Sequence, residues 1–218
     1  MLRILRWSAV CAALVCCATP AYAATCAPRT LVHIITVDVT PGVSAQAFTA
    51  QPKGLYRIGS DKMRIEEALD SANGIHGLIV IAEPNIWMVN LHDHTGKHIV
   101  DPGPTFFAKA PIFGMPEVSP KLSDLEFGCE AEFLTANAAS AVRSEQIGNT
   151  EYTVYRVDDN SDAVEILEKT GSNTPAFARY YHQGKLASVF RYDLYATGLA
   201  NNPDRFVPPS GVRYSEAK

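Results

Sequence analysis

The chain has 218 residues, 47% of them apolar, and carries 19 basic against 23 acidic side chains for a net charge of −4. That length suffices for one domain with a sizeable core. An acidic balance without a polybasic run excludes the usual kind of nucleic-acid surface.

Arg3 and Arg6 precede an apolar run from Trp7 to Ala18, and Ala21-Tyr22-Ala23 follows as a small-x-small cleavage site. This is the pattern of a secretory signal peptide over residues 1–23. The run is too short to span a bilayer, and no later stretch approaches about 20 apolar residues, so no transmembrane segment is expected. Removing Arg3 and Arg6 leaves 17 basic against 23 acidic residues, a net −6. Cys11, Cys16 and Cys17 leave with the signal. Cys26 and Cys129 remain, and in an oxidising compartment they are expected to form one disulfide. The alternative is a lipidated Cys26, but Thr25 stands where a lipobox needs Gly or Ala, and Cys129 would be left unpaired.

Leu31 to Val39 is β-branched and reads as a strand ended by Pro41-Gly42. Val43 to Gln51 allows a short helix. Leu55 to Ile58 is the next strand, and in Lys62 to Glu67 Met63 and Ile65 share one face. Gly74 to Val100 holds three apolar runs, one of the two tryptophans and four of the six histidines. Thr105 to Phe113 is apolar. Ser119 to Asn137 suggests one helix, with Ser123 and Glu126 at capping-box spacing. Tyr152–Val157, Ala163–Leu167, Phe177–Tyr181 and Lys185–Tyr195 are strand-like, the last with Leu186, Phe190, Tyr192 and Leu194 on one face. Roughly ten short strands with regular turn signals, and no long helical periodicity, predict a mostly β antiparallel meander or barrel.

In the central block, a turn centred on Pro84-Asn85 sets Ala82 opposite Trp87, Val80 opposite Val89 and Leu78 opposite Leu91. A second turn at Thr95-Gly96 sets Leu91 opposite Val100. One face is then a dry stripe of Leu78, Val80, Ala82, Trp87, Val89, Leu91 and Val100. The other carries Gly77, Ile79, Ile81, Met88, Asn90, His92 and Ile99 and is apolar near the Pro84 end. A sheet with one solvated face should alternate apolar and polar, so a helix, another sheet or an apolar ligand must cover the second face. The same register lines up His76, Asp93 and His98, weak candidates for a metal site or a hydrolase. Zinc needs three or four converging ligands, and Gly96 denies the His94/His98 spacing a helix. No GxSxG, P-loop, GxGxxG, HExxH or CxxC motif occurs, so no catalytic residue and no cofactor is assigned.

Two stretches carry a family resemblance. Lys185 to Tyr195, followed by Phe206, Pro209, Gly211 and Val212, resembles the close of the LolA/LolB-like superfamily of outer-membrane lipoprotein-sorting proteins. Tyr56 to Glu66 resembles an earlier strand pair of the same family. The resemblance implies that residues 24–218 form a single LolA-like domain. This would be an incomplete antiparallel barrel of about ten to eleven strands, its concave side apolar and plugged by one to three short helices. It implies a periplasmic carrier of lipid or lipoprotein acyl chains, working with a lipidated protein and a membrane donor or acceptor. The expected lining is Leu78, Val80, Trp87, Val89, Leu91, Phe106, Phe190 and Tyr192. A non-catalytic envelope interaction module is the other alternative.

Overall fold

The computed structural model describes residues 26–101, 109–114 and 118–216. Residues 1–23, expected to be a signal peptide, and Phe106 lie outside them. Two antiparallel meanders make up one sheet. The first is β1 (Leu31–Asp38), β2 (Lys53–Ile58), β3 (Lys62–Asp70), β4 (Ile75–Ala82), β5 (Asn85–Asn90) and β6 (Thr95–Val100). The second is β7 (Ala141–Ile147), β8 (Thr150–Asp159), β9 (Asp162–Lys169), β10 (Pro175–His182) and β11 (Lys185–Leu199). They join through antiparallel pairing of β1 with β11. A last strand, β12 (Arg213–Glu216), runs parallel to β6, giving the order β12-β6-β5-β4-β3-β2-β1-β11-β10-β9-β8-β7. The sheet is curved and open, with β7 and β12 at its edges. The mostly β, incomplete-barrel expectation stands, with one α-helix, α1 (Glu130–Ala136), and three 3-10 turns among the described residues.

The described parts of the connection between the meanders, residues 109–114 and 118–140, pack on the inner face of the sheet as a plug. Its Ala110, Ile112, Phe113, Leu122, Leu125, Phe133 and Leu134 are buried against the sheet. Alternation sends Val32 and Ile34 of β1, Leu55 of β2, Met63 and Ile65 of β3, and Tyr192 of β11 to the same core.

The outer face is closed in two ways. Over β4 and β5, Leu78, Val80 and Val89 are buried, with Trp87 and Leu91 against them, beneath Val212 and Tyr214 of the C-terminal segment. Over β7–β10, charge replaces grease. Glu165 accepts a forked pair from Arg143 (2.8 and 2.9 Å), one bond from Arg156 (3.1 Å) and one from the Tyr181 hydroxyl (3.1 Å). Arg179 forks onto Glu145 at 2.8 and 2.7 Å. These guanidinium groups hold both glutamates ionised; for Glu165 they outweigh the upward push of burial.

Several sequence expectations need correction. The turn after β4 centres on Glu83-Pro84, so Val80 faces Trp87 and Leu78 faces Val89, a slip of two residues from the expected register. The second turn is the longer Leu91–His94 loop, and Val89 pairs with Gly96. Both slips are even, so each side chain keeps its face. Gly96 is a strand residue for a steric reason. A Cβ there would sit 2.9 Å from the Met88 carbonyl oxygen and 3.0 Å from the Tyr214 ring. The loop closes instead through Asn90, whose Oδ1 accepts from the His76 and His92 amides at 2.9 and 3.1 Å.

In β11, irregularities opposite Tyr180/Tyr181 and Ile35/Thr36 break the alternation, so Leu186 pairs with Tyr181 and Leu194 with Ile35, away from Phe190 and Tyr192. The expected helix begins at Glu130 rather than at Ser123, and Val43 to Gln51 holds only the 3-10 turn Phe48–Ala50. Strands β7 and β12 had no counterpart among the expected elements.

Candidate functional site

Between the inner face of the sheet and the plug lies a cleft of about 290 Å³. Ile34, Leu55, Ile65 and Phe190 form its sheet wall, and Ile112 and Phe127 its plug wall. β1 to β3 supply the aliphatic residues because they alternate there, and β11 supplies Phe190 on the same side. The rest of the lining includes Thr36 and two lysines, Lys53 and Lys109.

One end of the plug is fastened three times. The Cys26–Cys129 disulfide ties the start of the described chain to the residue before α1, with Cα atoms 5.9 Å apart. Arg57 of β2 pairs with Glu126 at 2.9 Å, both fully buried, and also donates to the Cys26 carbonyl at 2.9 Å. The Glu126 carboxylate accepts the Ala110 amide at 2.9 Å, so one acid holds two passes of the plug. Glu130, at the start of α1, is buried and accepts from the Tyr192 and Tyr195 hydroxyls at 2.8 and 2.6 Å and from the Gly128 amide at 3.0 Å. Burial pushes the Glu130 carboxyl up to about 7, against the pull of those donors. Burial and the neighbouring Glu130 carboxylate push the Tyr192 hydroxyl well up as well. Gly128, which bends the chain into this clamp, has φ of +87°, where side-chain-bearing residues are strained.

The expected lining residues divide between two faces. Leu78, Val80, Trp87, Val89 and Leu91 lie together on the outer face, under the C-terminal segment. Phe190 lines the cleft. Tyr192 lies in the inner core but serves the Glu130 clamp. Ile34, Leu55, Ile65, Ile112 and Phe127 were not picked out. The shared face of Met63 and Ile65 was the available signal for one of them.

The histidine row does not assemble. His98 pairs with Trp87, stacks on its ring at 5.2 Å, and places Nε2 2.9 Å from Asn85 Oδ1. Asp93 caps its own loop through the Thr95 amide (3.0 Å) and hydroxyl (2.7 Å), which lowers its carboxyl. His76 pairs with Leu69. The turns sit two and six residues from the expected pairing, and that separates the three side chains. Among the described residues, no group of three His, Cys, Asp or Glu side chains is placed to hold a metal ion.

The fold and cleft define an open β-sheet protein with a plugged inner face. No protein-family profile matches the chain, and no curated protein does. Among solved structures it is similar to an uncharacterized conserved protein from Thermus thermophilus, at 8% identity, TM-score 0.49, over 87% of this chain and 91% of that one. It is also similar to a domain from Vibrio parahaemolyticus named as an outer membrane lipoprotein-sorting protein, at 10% identity, TM-score 0.36, over 81% and 88% of the two chains. A third likeness is to PNGF-II, at 8% identity and TM-score 0.35, over 86% of this chain but 32% of that one. These likenesses are distant, and no functional assignment is built on them.

Proposed function

We propose that this is an exported, periplasmic protein that binds a lipid or lipoprotein acyl chain in the inner-face cleft and carries it between membrane-associated partners. The observation that carries the reading is the cleft itself, with apolar walls from both the sheet and the plug. The resemblance of Tyr56–Glu66 and of the C-terminal segment to lipoprotein-sorting proteins supports it. The Cys26–Cys129 disulfide suits an oxidising compartment.

The energetics are adequate. Burying each methylene contributes about 0.8 kcal/mol, so a chain segment of about ten contributes roughly 8 kcal/mol before ordering costs. That corresponds to a micromolar ceiling, suited to a carrier that must release its load.

Native mass spectrometry of protein recovered from the export compartment tests the reading. The wild type should carry a lipid mass that Phe190→Asp loses. Bare protein in both, together with no uptake of a fluorescent fatty-acid probe by the wild type, would refute it.

A further inference from the structure

The cleft has a capacity, a fixed end and a charge, and together they narrow its ligand beyond the reading above, on which this inference rests. Its capacity is about 290 Å³. A water molecule's share of liquid volume is about 30 Å³ and a methylene needs a similar space, so the cleft takes on the order of ten methylenes. The space between the walls therefore matches one chain.

The cleft cannot widen by swinging the plug away at its clamped end. The disulfide, the Arg57–Glu126 pair and the Glu130 bonds to Tyr192 and Tyr195 would all have to yield.

Among the described residues, the lining contains two cations, Lys53 from the sheet and Lys109 from the plug, and no carboxylate. Lys53 pairs with Glu67 at 3.3 Å and lies 5.7 Å from the centre of the Phe48 ring. Lys109 pairs with Asp124 at 3.5 Å. All four side chains in these pairs are substantially exposed, between 32 and 60%. Such ion pairs contribute about 0–1 kcal/mol, so either ammonium can turn onto a ligand at little cost.

We infer that the cleft takes single-chain anionic amphiphiles, with the chain against Ile34, Leu55, Ile65 and Phe190 and the headgroup held by Lys53 and Lys109. The shared chemistry is a carboxylate or phosphate on one acyl or alkyl chain. A free fatty acid and a lysophospholipid both present it.

Isothermal titration of the signal-free chain, below the micelle threshold of each probe, tests this with probes of matched chain length. These are dodecanoate, dodecyl phosphate, the neutral monododecanoyl glycerol, dodecyltrimethylammonium and a two-chain didodecyl phosphate. Both single-chain anions should bind at least tenfold more tightly than the cation and the two-chain phosphate, and the ratio of dodecanoate to dodecyl phosphate identifies the headgroup. Lys53→Gln combined with Lys109→Gln should weaken the anions about tenfold and leave the neutral glyceride unchanged. Phe190→Asp should weaken every probe.

Equal binding of anion and cation, or anion binding unaffected by the lysine changes, would overturn the headgroup assignment while leaving an apolar carrier intact. Two-chain phosphate binding as tightly as dodecyl phosphate would overturn the single-chain assignment. Failure of every probe to bind the wild type would remove both this inference and the carrier reading.

Discussion

Glu130→Gln should stabilise the protein at neutral pH and leave it unchanged in acid. The carboxyl titrates at 4.5 when solvated and at about 7 in the folded chain, where burial is the largest cause. Between those values the native state holds a proton that the unfolded state has released. Stability from this group is therefore greatest below about pH 4.5 and falls as pH rises through about 7. At 1.36 kcal/mol per pH unit, the full interval corresponds to about 3 kcal/mol. Glutamine cannot ionise and, like the protonated acid, presents one acceptor and one donor: its oxygen serves the Tyr195 hydroxyl and the Gly128 amide, and its NH2 group donates to the Tyr192 hydroxyl oxygen. Both tyrosine hydroxyls are pushed up and stay protonated throughout. Glu132 and Glu168, which also lie near Tyr195, are common to both proteins. Urea unfolding followed by circular dichroism from pH 4 to 8.5, with the disulfide intact, gives the difference directly. It should be near zero at pH 4 and about 3 kcal/mol in favour of the variant at pH 8. A difference that stays constant with pH, or a wild type that is the more stable at pH 8, would refute the linkage.

Three further outcomes are expected. Replacing Cys26 and Cys129 together by serine opens a loop spanning a sequence separation of 103 and should cost about 5 kcal/mol on the loop-entropy relation, seen as a lower urea midpoint. Glu165→Gln keeps one oxygen acceptor but removes the buried charge that Arg143 and Arg156 share and turns an NH2 donor toward the Arg143 fork; because both guanidinium groups are partly solvated, the cost should lie near 3 kcal/mol, the low end for a broken buried pair. Leu78→Ala should cost about 2–5 kcal/mol in chemical unfolding, with acyl-probe affinity unchanged, because Leu78 is buried on the face opposite the cleft.

The fold class was legible because strand alternation is a local property. Met63 and Ile65 do share an inward face, and the stripe from Leu78 to Leu91 does share an outward one. Register errors of even size left these assignments intact. The side of the sheet to which each face turned was not legible, because distant chain decides it. The Trp87 stripe looked like a binding surface until Val212 and Tyr214 covered it, and nothing near residue 87 announces residue 214. The cleft was hidden for the same reason. Ile34, Ile65, Phe127 and Phe190 meet only once β1 pairs with β11 and the plug folds back. Glu126 read as a helix cap at close range; its partner Arg57 lies 69 residues earlier. The charged outer face of β7–β10 was equally invisible, since β7 carries too few apolar residues to read as a strand.

The joining of β1 to β11 has a kinetic meaning. Where the two strands meet, Gly198 donates to Thr30 across 168 residues, and at the sheet edge Ser215 reaches Gly96 across 119. Neither meander can be flanked on both sides until the closing strands have emerged. Such long closures place folding among the slow, non-local cases. The hairpins within each meander are local, but the sheet cannot be joined until β11, which ends at Leu199, has been made. The pairing that completes the sheet thereby also sets the moment at which the cleft can first exist.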